Sequence, residues 1–124
     1  MGLTRIEVTL KRPGASKRTY RAQFLVDTGA TDSMAPASKL QSIGIQPVGK
    51  RSYELADGTK QMYQFGLVEI RFLNEVTAGR VIFGPEGIEP ILGVTALESA
   101  GITIDPANQT LRRLPSIPLK LFAA

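Results

Sequence analysis

Leu25-Val26-Asp27-Thr28-Gly29-Ala30-Thr31-Asp32-Ser33 is the stretch whose reading decides the fold. Two apolar residues run into an acid, and small or polar residues follow it. The pattern is a strand that ends in a tight loop carrying a carboxylate. An Asp-Thr-Gly triplet arises by chance in on the order of a few per cent of chains of this length. Alone, Asp27 reads as a turn aspartate; its flanks and the order of the segments around it add the specificity.

Upstream, Leu3 to Leu10 alternates apolar and polar residues as a half-buried strand does. Lys11 to Ser16 turns at Pro13-Gly14, and Arg18 to Val26 returns as a second strand. Downstream, Pro36 is set to open a short helix over Ala37–Ser42, with Gly44 stopping it. Val48 to Leu55 and Thr59 to Phe65 flank Asp57-Gly58, a two-residue hairpin signal. Leu67 to Leu73 and Val76 to Phe83 form a further pair around a turn at Asn74-Glu75, and Gly84 to Pro90 is a loop.

After Ile91-Leu92-Gly93 comes the best-supported helix, Val94 to Ala100, with Gly101 ending it. Ile102 to Ile104 and Thr110 to Leu114 are strands around a turn at Asp105-Pro106-Ala107-Asn108, and Leu119 to Phe122 has the pattern of an edge strand. Many short strands at close intervals, with no linker, predict an all-β protein. It is a single domain over residues 1–124, a small closed β-barrel with one short helix near the C-terminus.

Composition narrows the chemistry. The chain has 124 residues and contains neither Cys nor His. Disulfides, thiol nucleophiles, zinc sites built on Cys or His, and hydrolases with a histidine base are excluded. Catalysis has carboxylates, amines, hydroxyls and backbone groups to work with, and no metal or other cofactor is expected. No apolar run is long enough for a membrane-spanning helix, and the N-terminus lacks the apolar stretch of a signal peptide. Those readings favour a soluble, cytoplasmic protein.

The net charge is +4, with Arg5, Lys11, Arg12, Lys17, Arg18 and Arg21 near the N-terminus against one acid there, Glu7. A nucleic-acid patch and a solvated hairpin both fit this charge. The hairpin is favoured, because no aromatic interleaving accompanies it. Glu86 and Glu89 flank Gly87, where a loop explains them better than a metal site does.

The Asp27-Thr28-Gly29-Ala30 segment resembles the active-site signature of aspartic peptidases, and its single copy in a short chain resembles their retroviral, retropepsin-like branch. Ile91-Leu92-Gly93 is similar to the apolar-apolar-Gly element that this family threads past its catalytic loop. Leu55-Ala56-Asp57-Gly58-Thr59 is similar to the tip of its β-hairpin flap. The resemblance spans roughly Leu3 to Leu114 and lies nearer to cellular and bacterial members than to viral enzymes.

The resemblance implies a homodimer in which two Asp27 carboxylates meet at the twofold axis and act on a polypeptide substrate. It assigns Asp27 as the catalytic acid, with Thr28 bonding across the axis and Gly29 permitting the close turn. It assigns Ala30, Thr31 and Asp32, the flap residues Leu55, Ala56, Asp57 and Gly58, and Ile91 and Leu92 to substrate binding. Asp32 is equally a candidate cap for the segment after it. Tyr53 and Tyr63 read as packing residues, and Leu55 and Met62 as flap residues within reach of a peptide. The chain departs from the viral pattern at Thr31, where that pattern has an acid, and after Gly93, where no Arg follows. A catalytically inactive dimeric module that binds peptides with the same fold is the alternative, and a basic nucleic-acid-binding domain is the third reading.

Overall fold

Strict alternation builds the first wall. In the computed structural model, which describes residues 4–14, 16–105 and 107–119, Arg5–Lys11 forms β1 and buries Val8 and Leu10 completely. Thr19–Asp27 forms β2, antiparallel to β1, with Phe24 and Val26 turned to the same interior. Further along are β3 (Ser33–Pro36), α1 (Ala37–Ser42), β4 (Gly49–Glu54), β5 (Lys60–Phe72) and β6 (Glu75–Gly84). Then come β7 (Ile91–Gly93), α2 (Val94–Ser99), β8 (Ile102–Asp105) and β9 (Thr110–Arg113).

The main sheet runs β1-β2-β7-β3-β6-β5-β4, and β1 also pairs with β5. That extra pairing closes six strands into a barrel and leaves β4 outside the ring, attached to β5 alone. Val8, Leu10, Phe24, Leu40, Ile45, Val68, Ile70, Val81, Leu92 and Leu97 fill the interior, each at most 2% exposed. Each such side chain contributes on the order of 1.5–3 kcal/mol of hydrophobic burial. β8 and β9 form a separate two-stranded ribbon, joined to the end of α2 where Leu114 N–H donates to the Gly101 carbonyl at 2.8 Å. Gly101 has φ +73°, as expected of the residue just past a helix end.

The structure revises the expected elements at four points. β5 is one strand of 13 residues where two were expected, broken at Gly66. Gly66 does not break it; it admits close neighbours, because a Cβ there would lie 2.7 Å from Ile45 Cγ2 and 2.8 Å from the Gln46 carbonyl oxygen. The turn after β5 is Leu73-Asn74, one residue earlier than expected, with φ of 50° and 63°. Buried Phe72 must pair with Glu75 to keep its face, and this forces Leu73 into a conformation that suits Asn better.

The tip of the β4–β5 hairpin, the expected flap, is a three-residue loop, Ala56-Asp57-Gly58, rather than the two-residue turn of the sequence reading. Leu55 N–H donates to the Thr59 carbonyl at 2.7 Å and Gly58, at φ +85°, donates to the Leu55 carbonyl at 2.9 Å. Ser33–Pro36, finally, is a strand where only a loop and a helix start were expected. Two short helices are present, α1 over the span anticipated after Pro36 and α2 near the C-terminus. The edge strand expected over Leu119–Phe122 falls, beyond Leu119 itself, outside the described residues.

Three of the six basic residues of the N-terminal hairpin pair with carboxylates in place. Arg5 bonds Glu89 and Lys11 lies 3.8 Å from Glu69, while Arg21 lies 3.9 Å from Glu7 and Arg18 donates to the Ser42 carbonyl at 3.2 Å. Glu86 accepts from the Ser38 amide and hydroxyl at the start of α1, and these bonds hold its carboxyl below the usual range. Asp105 serves its turn by accepting from the Ala107 amide at 2.9 Å.

Gly66→Ala is expected to destabilise the fold by about 1–3 kcal/mol through overpacking against Ile45 and the Gln46 carbonyl. A denaturant-unfolding midpoint that matches the parent's would refute that account of the unbroken strand.

Candidate active site

β7 lies between β2 and β3: it is parallel to β2, with Asp27 opposite Gly93, and antiparallel to β3 at Met34–Ile91. The chain leaves β2 at Asp27 and re-enters the sheet as β3 at Ser33, on the far side of β7. Residues 28–32 therefore arch over the end of β7 at Gly93. The clearance is minimal. A Cβ on Gly93 would lie 2.6 Å from the Asp32 carbonyl carbon and 2.7 Å from the carbonyl oxygens of Thr31 and Asp32, so only glycine fits.

Three successive amides fasten the arch. Gly93 N–H donates to the buried Ser33 hydroxyl at 3.0 Å. Val94 N–H donates to the Ala30 carbonyl at 2.8 Å, and Thr95 N–H to the Thr31 carbonyl at 3.2 Å. Val94 and Thr95 open α2, so these amides have no partner within the helix, and the loop carbonyls supply one. Ser33, at 2% exposure, is the one buried polar residue among the described residues.

Inside the loop, Asp27 is half-buried and its Oδ1 accepts from the Gly29 amide at 2.9 Å. The Ala30 amide donates to the Asp27 carbonyl at 3.1 Å, closing a tight turn. Thr28 and Gly29 are exposed at its crest, and Ala30, Thr31 and Asp32 follow as the arch descends to Ser33. Asp32 does not cap α1; the first turn of that helix is served by Glu86. The Asp32 carboxylate instead accepts from the Tyr53 hydroxyl at 2.7 Å. Burial first, and then the Asp32 carboxylate, push the Tyr53 phenol up to about 12.

The other expected site residues divide. Leu55, Ala56, Asp57 and Gly58 form the exposed tip of the β4–β5 hairpin. Asp57 Oδ1 accepts from the Thr59 amide at 2.9 Å and the Thr59 hydroxyl at 2.7 Å, which lowers its pKa and shapes the tip. Met62, 59% exposed, pairs with Ser52 and so points to the face opposite Tyr53. Ile91 is half-buried. Leu92 was expected among the substrate-binding residues, but it is wholly buried at 0% exposure and packs in the core beneath the arch.

Two residues went unassigned by sequence reasoning. Ser33 had no local signal beyond its place at the end of the loop. Tyr53 was read as packing; it does meet Tyr63 edge-on at 6.2 Å, but its hydroxyl reaches the loop as well. Among the described residues no group of three or more His, Cys, Asp or Glu stands close enough to hold a metal ion.

Ser33→Ala is expected to lose about 1–3 kcal/mol, because it strands the Gly93 amide in the interior. Gly93→Ala is expected to cost more and to displace the loop, since the atoms it meets are backbone. Thermal unfolding of both variants tests the arch, and a Gly93→Ala protein as stable as Ser33→Ala would overturn it.

The comparisons with known proteins agree with this geometry. A family model described as aspartyl protease matches residues 13–96, more than half of the 124-residue chain. A search of curated protein sequences returns no match. Among solved structures, the fold is similar to that of the simian foamy virus (mac) protease at a TM-score of 0.54 and 14% identity, over 76% of this chain and 91% of that one. It is similar to the retroviral protease-like domain of Ddi1 from Leishmania major at 0.53 and 16%, over 93% of this chain and 92% of that one. A retropepsin-like aspartic protease from Rickettsia conorii aligns at 0.47 and 23%, over 84% and 85% of the two chains. With the family model covering both the Asp27 loop and the Ile91-Leu92-Gly93 strand, this chain belongs to the aspartyl protease family and has the retropepsin-like fold.

Proposed function

We propose that the chain is an aspartic endopeptidase whose active unit is a homodimer, with one Asp27 from each copy forming the catalytic pair. The observation that carries the reading is the Asp27 loop itself. A half-buried carboxylate sits at a strand end, its Oδ1 held by the Gly29 amide, in an arch clamped over Gly93. Each chain supplies one such acid, and hydrolysis without a metal or histidine needs both a base and an acid. A second copy related by a twofold axis supplies the other.

Two carboxylates about 3 Å apart do not ionise together, and one proton serves the pair. That behaviour is established for aspartic proteases generally and is carried over from them. The ionised acid takes a proton from water as it attacks the scissile carbonyl, while the protonated acid donates to the carbonyl oxygen. The collapse of the tetrahedral intermediate then returns a proton to the leaving amine. The titration belongs to the pair rather than to either acid.

Thr28, exposed at the crest of the loop, is the residue offered to the partner copy across the axis. Ala30, Thr31 and Asp32 on the descending arch, and Leu55 to Gly58 on the flap, would hold an extended peptide between them as an added strand. Closing of the flap over that peptide excludes water from the reacting atoms.

Asp27→Asn is expected to reduce peptide cleavage at least about a hundredfold while leaving the dimer intact. Cleavage assays alongside sedimentation of both proteins decide the matter. Unreduced cleavage by the variant, or a wild type that cleaves as a monomer, would defeat the reading. A wild type that dimerises and binds peptides without cutting them would leave the binding module in its place. The kcat/KM profile should fall on its alkaline side as the pair loses its shared proton.

A further inference from the structure

We propose that Tyr53 is a positioning residue that tethers the flap hairpin to the catalytic loop through Asp32, setting the height at which the flap stands over the cleft. Its effect on turnover rests on the peptidase reading; the tether itself does not.

The flap needs such a device. β4 is the end strand of the sheet and pairs only with β5, outside the closed ring. A two-stranded ribbon projecting from a barrel is marginally stable and free to pivot at its base. The base is close-packed: Val48 N–H donates to the Phe65 carbonyl at 2.9 Å, and the Phe65 ring leaves no room for a side chain at Gly49. Nothing in that packing fixes the angle of the tip.

Tyr53 supplies the fixed point. It lies two residues before Leu55 at the flap tip, its ring set edge-on against Tyr63 across the hairpin, and its hydroxyl donates to Asp32 Oδ2 at 2.7 Å. The far end of that bond is rigid. Asp32 immediately precedes Ser33, whose hydroxyl holds the Gly93 amide, and Gly93 stands opposite Asp27 in register. The flap is thus linked to the acid through two hydrogen bonds, one peptide unit and the β2–β7 pairing. The phenol, pushed up to about 12, keeps its proton and remains a donor throughout the range in which a carboxylate pair works.

The measurement is hydrogen exchange on the substrate-free protein, comparing the parent with Tyr53→Phe, Asp32→Ala and the double variant. Tyr53→Phe keeps the ring against Tyr63 and removes the hydroxyl, and with it the bond to Asp32 and the contact with Arg80. Amides of residues 54–62 should exchange roughly tenfold faster in either single variant and no faster still in the double, with β1 and β2 unchanged. Unchanged exchange in Tyr53→Phe would overturn the tether, whether or not the protein cuts peptides.

Kinetics of the active enzyme give the second readout. A flap less often in position raises KM roughly tenfold in Tyr53→Phe and leaves kcat within about twofold. An unchanged KM in Tyr53→Phe would overturn the effect on turnover; Asp32→Ala stays out of the kinetic comparison because in the proposed cleft Asp32 also lines the peptide. Should Asp32→Ala fail to fold, the Tyr53→Phe exchange result alone decides.

Discussion

A strand threaded between two others is the constraint from which the site follows. Because β7 separates β2 from β3, the segment that carries Asp27 cannot run through the barrel wall and must pass over the end of β7. The crossing leaves no space for a Cβ at Gly93, and it brings three amides of one short segment against acceptors of the other. The arch thereby exchanges unpaired helix-end donors for unpaired loop carbonyls, each meeting the other's need. Rigidity at the acid is a product of topology, and the local sequence only has to be small enough to permit it.

The same economy explains which parts of the molecule are held and which are left free. The barrel closes on itself through the β1–β5 pairing, so among the described strands of the main sheet only β4 stands at an edge. β4 is outside that closure. The tip of the β4–β5 hairpin therefore projects beyond the ring, and its contact with the Asp27 loop is made by side chains.

What could be read from the residues divides along the range of the interactions involved. The Asp27 loop, the Gly93 crossing strand, the hairpin around Asp57-Gly58 and the helix ended by Gly101 all announce themselves through neighbouring residues, and the structure has each of them. Gly66 misled because glycine signals both a break and a close approach, and only the tertiary neighbours Ile45 and Gln46 tell which. Leu73 is in the turn because Phe72 is buried, a demand from across the sheet that overrides the preference of leucine. β3 is four residues ending in proline, too short for alternation to register. Leu92 was grouped with the Gly93 element by position alone; its inward direction depends on the pairing of Val26 with it, which no local pattern reveals. The Tyr53–Asp32 bond spans 21 positions and two elements, beyond any periodicity.

The departures from the viral pattern acquire a physical sense in this frame. Where an acid is expected the chain has Thr31, and after Gly93 it has Val94 and Thr95 instead of an arginine. An ion pair at that point would brace the loop at the cost of desolvating two charges. Here the brace is made of backbone: Thr95 N–H to the Thr31 carbonyl, and Val94 N–H to the Ala30 carbonyl. The ion pairs among the described residues involve Glu7, Glu69, Glu75 and Glu89, and none involves Asp27 or Asp32. Asp32 meets a neutral phenol and Asp27 a neutral amide. Bracing the arch with uncharged donors keeps the loop rigid without desolvating a charge.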